Sequence, residues 1–458
     1  MTAYGELRAW TLISLIALAL SGVIVIAVLA ARVPVIYDFA LWSDPPTFRK
    51  GLVGHVIFSF VVWFLSVAGT LMAYARLKAD IKDGRNLVGL LAIALTSLGF
   101  AGLVLPTFMP SALPSLNNYV PILNDPLYYG GLILLFSSLA LISLRHLFSL
   151  KSASMRASSL GYALGALALI YLVALGCFLI ARFQIPDGLD DLAFNELIFW
   201  GGGHVLQFFN TAILIICWII IARRIWNSDL LNARIFALLM LVLALSTLPG
   251  PVSYFLMELT STDHKTFFTE MLRYGLVLPP TAVGLAILLK LSEKGGLRLG
   301  DYLSVALLTS LFMFNLSGVF GLLLDGSDTR VPAHYHAAIG SIQIVLMAVY
   351  FQVILPELGT PEITGKWGKR MLLAQFYMYG IGQTIHAIGL FLAGGHGVQR
   401  KTSGADQALD SVEKKIAAGV FGLGGGLAIL AGAIFVIMAL RLLLKKSPNA
   451  PIPVKSVT

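Results

Sequence analysis

The chain alternates between long apolar runs and short polar breaks. Twelve runs reach spanning length, over roughly 9–30, 52–75, 87–109, 127–149, 160–181, 197–222, 234–257, 271–291, 302–324, 335–355, 371–393 and 416–444. A bilayer-crossing helix needs about 20 predominantly apolar residues, and each run supplies that length. The pattern therefore predicts an all-α membrane protein, a single twelve-helix transmembrane domain over 1–458 in contact with the lipid bilayer. No polar stretch is long enough for a second folded domain; the longest lies around Arg400–Lys415. The first run is too long for a signal-peptide core and is read as a retained helix.

Composition agrees. Of 458 residues, 58% are hydrophobic and 12% charged, about half the roughly 25% charged residues of a soluble domain. The net charge of +9 is not gathered into a block, so it points to membrane loops and not to nucleic acid. With an inside N-terminus, lysine and arginine divide 21 inside to 11 outside, which predicts cytoplasmic termini by the positive-inside rule. Cys177 and Cys217 lie singly inside apolar runs and form no disulfide or metal pattern. Gly161-x-x-x-Gly165 and the glycines of 422–426 are read as close-packing positions. No carboxylate falls deep in a run; Glu258, Glu270, Asp325 and Glu357 sit at run ends. This counts against an ion-coupled carrier, which keeps ionisable groups near the midplane.

Histidine carries the chemistry. His55, His204, His334 and His336 all lie near the start of even-numbered runs, which places four imidazoles in one layer near the outer face. His334 and His336 are two apart, so on a helix they point about 200° apart toward different neighbours. One metal would prefer i,i+3 or i,i+4 spacing. His-x-His suits two flat cofactors flanking the helix, and histidine is a common axial ligand of haem iron. Of the rest, His146 is read as a solvated helix end, His264 as a surface-loop residue, His386 as a core residue, and His396 as a loop or cofactor-edge residue.

At this point the sequence resembles the catalytic subunit of the haem–copper oxidase superfamily, which includes nitric oxide reductases. The resemblance spans all twelve runs. It rests on Gly54-His55, Trp200-Gly-Gly-Gly-His204, Asn315-x-Ser-Gly318, Asp328-Thr-Arg-Val-Pro-Ala-His334-Tyr-His336 and Leu392-Ala-Gly-Gly-His-Gly-Val-Gln-Arg400-Lys401. It implies a low-spin haem held by His55 and His336 and a high-spin haem on His334, with Arg400 and Lys401 at the haem propionates; a solvated loop is the alternative for that basic pair. Asp328 matches an acidic position of the family near the outer surface.

The departures concern the second metal. The family adds a His-His pair at the outer end of the seventh helix, where this chain has Val252 and Ser253. Phe208 stands where oxidases often carry a tyrosine and nitric oxide reductases a glutamate. His204 is left as the one histidine for a distal metal, with Tyr254 and Gln207 as distal-pocket candidates, so two haems are implied and copper is in question. The expected function is a di-haem respiratory oxidoreductase subunit of a prokaryotic-type inner membrane. It would take electrons from an outer-side cytochrome, cupredoxin or membrane partner and be able to bind oxygen or nitric oxide. The alternative is a non-catalytic electron-transfer or gas-sensing subunit. A cofactor-free transporter ranks below both.

Overall fold

The computed structural model describes residues 1–34, 36–37, 44–81, 86–324 and 326–445. Asp325 lies outside the described residues. The fold is nearly all helix, with a helix over each of the twelve apolar runs. They are α1 Ala3–Ala30, α2 Pro45–Lys78, α3 Leu87–Phe108, α4 Pro126–Ser149, α5 Ser159–Gln184, α6 Asp191–Trp226, α7 Ala233–Leu256, α8 Thr262–Lys294, α9 Tyr302–Leu322, α10 Arg330–Glu357, α11 Lys366–Gly395 and α12 Val412–Leu444. Eleven are long and apolar enough to cross a membrane. The other, α11, has 30 residues but carries Gln375, Gln383, Thr384 and His386 along its middle.

Most helices begin where a polar side chain can cap them. Asp190, Asp301, Ser261 and Ser411 each accept from a backbone N–H of the following turn, which satisfies donors that helix geometry leaves open. Several helices also outrun their apolar stretch. Helix α8 starts at Thr262, so Glu270, expected at an end, lies within it and pairs with exposed Arg273 at 2.7 Å.

The chain forms two compact units, Met1–Gly296 with Val398–Asp410, and Leu297–Gly397 with Ser411–Thr458. In the first, α1 packs on α2, α3 on α4, α5 on α6 and α7, and α8 on α6. A two-strand ribbon, Leu113–Ser115 with Ile122–Asn124, closes the segment between α3 and α4. Residues 398–410 dock back on the end of α1, where Gly404 N donates to Ala31 O at 2.9 Å and Gln407 Nε2 to Arg32 O at 3.2 Å.

In the second unit α10 lies against α9 and α11, and α11 against α12. A Cβ on Gly382 would stand 2.7 Å from Ala428 N, and one on Gly389 2.8 Å from Phe421 Cα. Backbone faces backbone at these points, so an added methyl has nowhere to go. Gly389→Ala is expected to cost about 1–3 kcal/mol in overpacking, more than the roughly 1 kcal/mol of helix propensity that alanine gains. Thermal unfolding in detergent, with Gly426→Ala as control, checks this, since nothing among the described residues lies within 4 Å of a Cβ at Gly426.

Candidate functional site

In the second unit, His334 and His336 stand near the start of α10 and face different neighbours. His334 Nδ1 lies 2.8 Å from Ser317 O on α9, with Ser317 Oγ at 3.3 Å. A carbonyl can only accept, so Nδ1 carries the proton and Nε2 keeps the lone pair. Gly321 makes room for the ring: a Cβ there would sit 3.0 Å from its Cε1. His336 meets α11, its ring centroid 4.6 Å from that of His386. His386 in turn donates from Nδ1 to Phe421 O on α12 at 2.7 Å. Just before the helix, Asp328 caps the Arg330 amide at 2.8 Å and pairs with its guanidinium at 2.7 Å.

In the first unit, a π-helical turn, Ile57–Val62, follows His55 within two residues; such turns recur at functional sites. Ser21 Oγ donates to His55 O at 3.0 Å and lies 2.8 Å from His55 Nδ1. With its proton committed to the carbonyl, the hydroxyl accepts from Nδ1–H, so Nε2 is again the ring's acceptor.

His204 is held differently. Its Nδ1 lies 2.7 Å from Trp200 O, and Tyr119 Oη lies 2.8 Å from Nε2. Since Nδ1 must donate to the carbonyl, the phenol donates to Nε2, and both ring nitrogens are engaged. The glycines before it serve three sides of α6. A Cβ on Gly203 would run into Tyr119, on Gly202 into Phe178, and on Gly201 into Tyr254 and Phe268, all well inside contact distance.

Tyr119 comes from the segment between α3 and α4, with a left-handed φ of 64°. Glu196 accepts from Asn118 N at 2.7 Å and Asn118 Nδ2 at 2.6 Å. Arg400 Nη1 donates to Asn118 Oδ1 at 3.2 Å, and Lys401 Nζ to Leu116 O. The basic pair is thus tied to this segment and partly buried. Burial, reinforced by Arg400, pulls the Lys401 ammonium down to about 8. Burial and the Glu196 carboxylate push the Tyr119 phenol above its ordinary value.

The other distal-pocket candidates do not converge on a metal. Gln207 Nε2 donates to Gly203 O of its own helix at 3.2 Å. Tyr254 is buried with its hydroxyl over Gly201 and, among the described residues, no hydrogen-bond partner. Val252 is 52% exposed and Ser253 Oγ turns back to Gly250 O at 2.7 Å. Among the described residues no three His, Cys, Asp or Glu side chains could share a metal ion.

Two histidine readings need correction. His264 is no surface-loop residue: it is buried in α8, 4.6 Å from the Tyr254 ring and 5.1 Å from Phe268. His146 is no solvated helix end: it is fully buried, with Nε2 3.0 Å from Gly161 O. His396 is exposed at the end of α11. Tyr119 and Glu196 escaped the sequence reading because no local pattern joins them to His204.

The model of the family described as Cytochrome C and Quinol oxidase polypeptide I matches residues 7–427. A relative in Aquifex aeolicus (strain VF5), described as an uncharacterized protein, is 30% identical over 79% of this chain and 87% of its own length. One in Rickettsia prowazekii (strain Madrid E), described likewise, is 25% identical over 94% of each. A solved structure of a heme-copper terminal oxidase dimer superposes with a TM-score of 0.72 at 15% identity, covering 97% of this chain and 85% of that one. The fold of that oxidase and the family match over nearly the whole length agree, and the chain belongs to the family of cytochrome c and quinol oxidase polypeptide I.

Proposed function

We propose that this oxidase-like membrane subunit holds two haems, a low-spin one between His55 and His336 and a high-spin one on His334, and passes electrons from an outer-side donor to a haem open to oxygen or nitric oxide. The carrying observation is the tautomer of His334. Ser317 O takes the proton of Nδ1, which orients the ring and leaves Nε2 as the nitrogen that can bind iron. Such hydrogen bonds fix the ligating face of an imidazole and raise its basicity. Ser21 orients the His55 ring through Nδ1. The side chains fit haem iron; around His204 they do not fit copper, because among the described residues no further His, Cys, Asp or Glu joins it to complete a metal-ligand set. Bound haem would supply one-electron chemistry and an iron coordination position for a diatomic. The chain's own part is to hold and orient the imidazoles, which stand half-buried among apolar helices. Twelve spans with both termini cytoplasmic, in a prokaryotic-type inner membrane with partner subunits, complete the reading.

A second reading is a subunit that carries electrons or senses gas without turnover. The hydrogen-bonded His204 and outward-facing Val252 favour it, since a lone haem lacks a second redox centre for fast cleavage of dioxygen. Reduced-minus-oxidised spectra with and without carbon monoxide, alongside metal analysis, test both. Two haems and a carbon monoxide shift with no copper are expected. Absence of haem would overturn both readings, and two haems without the shift would leave only electron carriage.

A further inference from the structure

We propose that Tyr119 closes His204 as a hydrogen-bonded imidazole, setting a phenol–imidazole pair where the family pattern has a metal ligand. Three independent features build the pair. The phenol donates to Nε2 at 2.8 Å while Nδ1 donates to Trp200 O at 2.7 Å, so both ring nitrogens are engaged in hydrogen bonds. Gly203 admits the tyrosine ring against α6, where any Cβ would collide with it. The backbone is held left-handed at Tyr119 itself, an arrangement that a non-glycine residue keeps only where its surroundings enforce it.

Those surroundings are polar and specific. Glu196 grips the amide and side chain of Asn118. Arg400 reaches Asn118 Oδ1, and Lys401 reaches Leu116 O. Glu196, Arg400 and Lys401 are therefore positioning residues that act on His204 through Asn118 and Tyr119. The basic pair gains a task distinct from neutralising carboxylates: it fixes the segment that carries the phenol. His204, aligned by sequence with a metal ligand, becomes an acceptor with a fixed tautomer.

The test uses the purified full chain. Each protein is incubated with copper(I), desalted and analysed for metal. Wild type is expected to retain no stoichiometric copper, with His204→Ala indistinguishable from it. One copper per chain in wild type, lost in His204→Ala, would overturn the proposal. The second arm rests on the haem reading above and uses the carbon–oxygen stretch of the ferrous carbon monoxide adduct. Tyr119→Phe, which removes only the hydroxyl, is expected to shift that stretch, and Glu196→Gln to shift it the same way by loosening the segment. An unchanged stretch in Tyr119→Phe would reject the phenol's role. An absent wild-type adduct would instead sink the high-spin haem, while the copper arm still decides whether His204 is a metal site.

Discussion

His334→Ala is expected to abolish the carbon monoxide response of the purified protein while leaving its low-spin haem band in place. His55→Ala or His336→Ala should do the reverse, removing the low-spin band and sparing the carbon monoxide response. The asymmetry follows from α10, which turns one imidazole to α9 and the other to α11. Losing an axial imidazole removes a covalent bond to iron, an effect of all-or-none size. Changes one bond further out are graded. Ser21→Ala takes away a hydroxyl that fixes His55 Nδ1, and outer-shell losses of this kind typically weaken a metal site about 10–100-fold. Ser317→Ala should do much less, because the nearer acceptor for His334 is the backbone carbonyl, at 2.8 Å against 3.3 Å for the hydroxyl. Optical spectra of the five variants, normalised to protein, check this. A low-spin band that survives His336→Ala would reject the ligand assignment.

The second large effect is on stability. Glu6, in the first turns of α1, is 1% exposed. Its carboxylate binds the Arg145 guanidinium at the end of α4 and accepts from Asn86 Nδ2 at 2.5 Å. Asn86 also caps α3 through Gly89 N at 2.9 Å. A Cβ on Gly89 would stand 2.6 Å from Glu6 Oε2, so the glycine makes room for the pair. Three helices thus meet on one buried charge. Glu6→Ala leaves Arg145, whose side chain is 10% exposed, as an uncompensated cation. Breaking such a pair costs about 3–5 kcal/mol, a large part of the roughly 5–15 kcal/mol that holds a protein folded. We expect a steep drop in thermal stability and yield. Removing both charges together, Glu6→Leu with Arg145→Met, should recover most of the loss. Melting curves in detergent decide it; a single variant that melts like wild type would show the pair to be energetically idle.

The twelve helices were legible because an apolar stretch of about 20 residues carries its own signal. What that signal misses is helix that continues past the lipid-facing part. Asp191–Glu196 and Thr262–Glu270 are polar enough to read as loop, yet each lengthens a helix, the first setting half-buried Glu196 against Asn118 and the second burying His264. His146 was misread for a different reason: it lies inside its run, and burial at a helix end depends on what packs over it. The ligand histidines were legible in kind and spacing. Their hydrogen-bond acceptors were not all so: Ser317 sits in a quoted motif, whereas Ser21 is one serine in an apolar run. Tyr119 is farther still from local pattern, 85 positions from His204 in the chain. Nothing periodic links a residue between helices to the face of another helix.

The docking of residues 398–410 onto the first unit sets an order of events during synthesis. Asn118 and Arg400 are 282 positions apart. At about 5–20 residues per second, on the order of 15–60 s separates the emergence of one from the other. Until Arg400 and Lys401 arrive, the segment bearing Tyr119 lacks two of its anchors, although α6 and Glu196 are already in place. The nascent first unit therefore passes through a period when His204 is less firmly covered, and the last loop to leave the ribosome before α12 completes that cover.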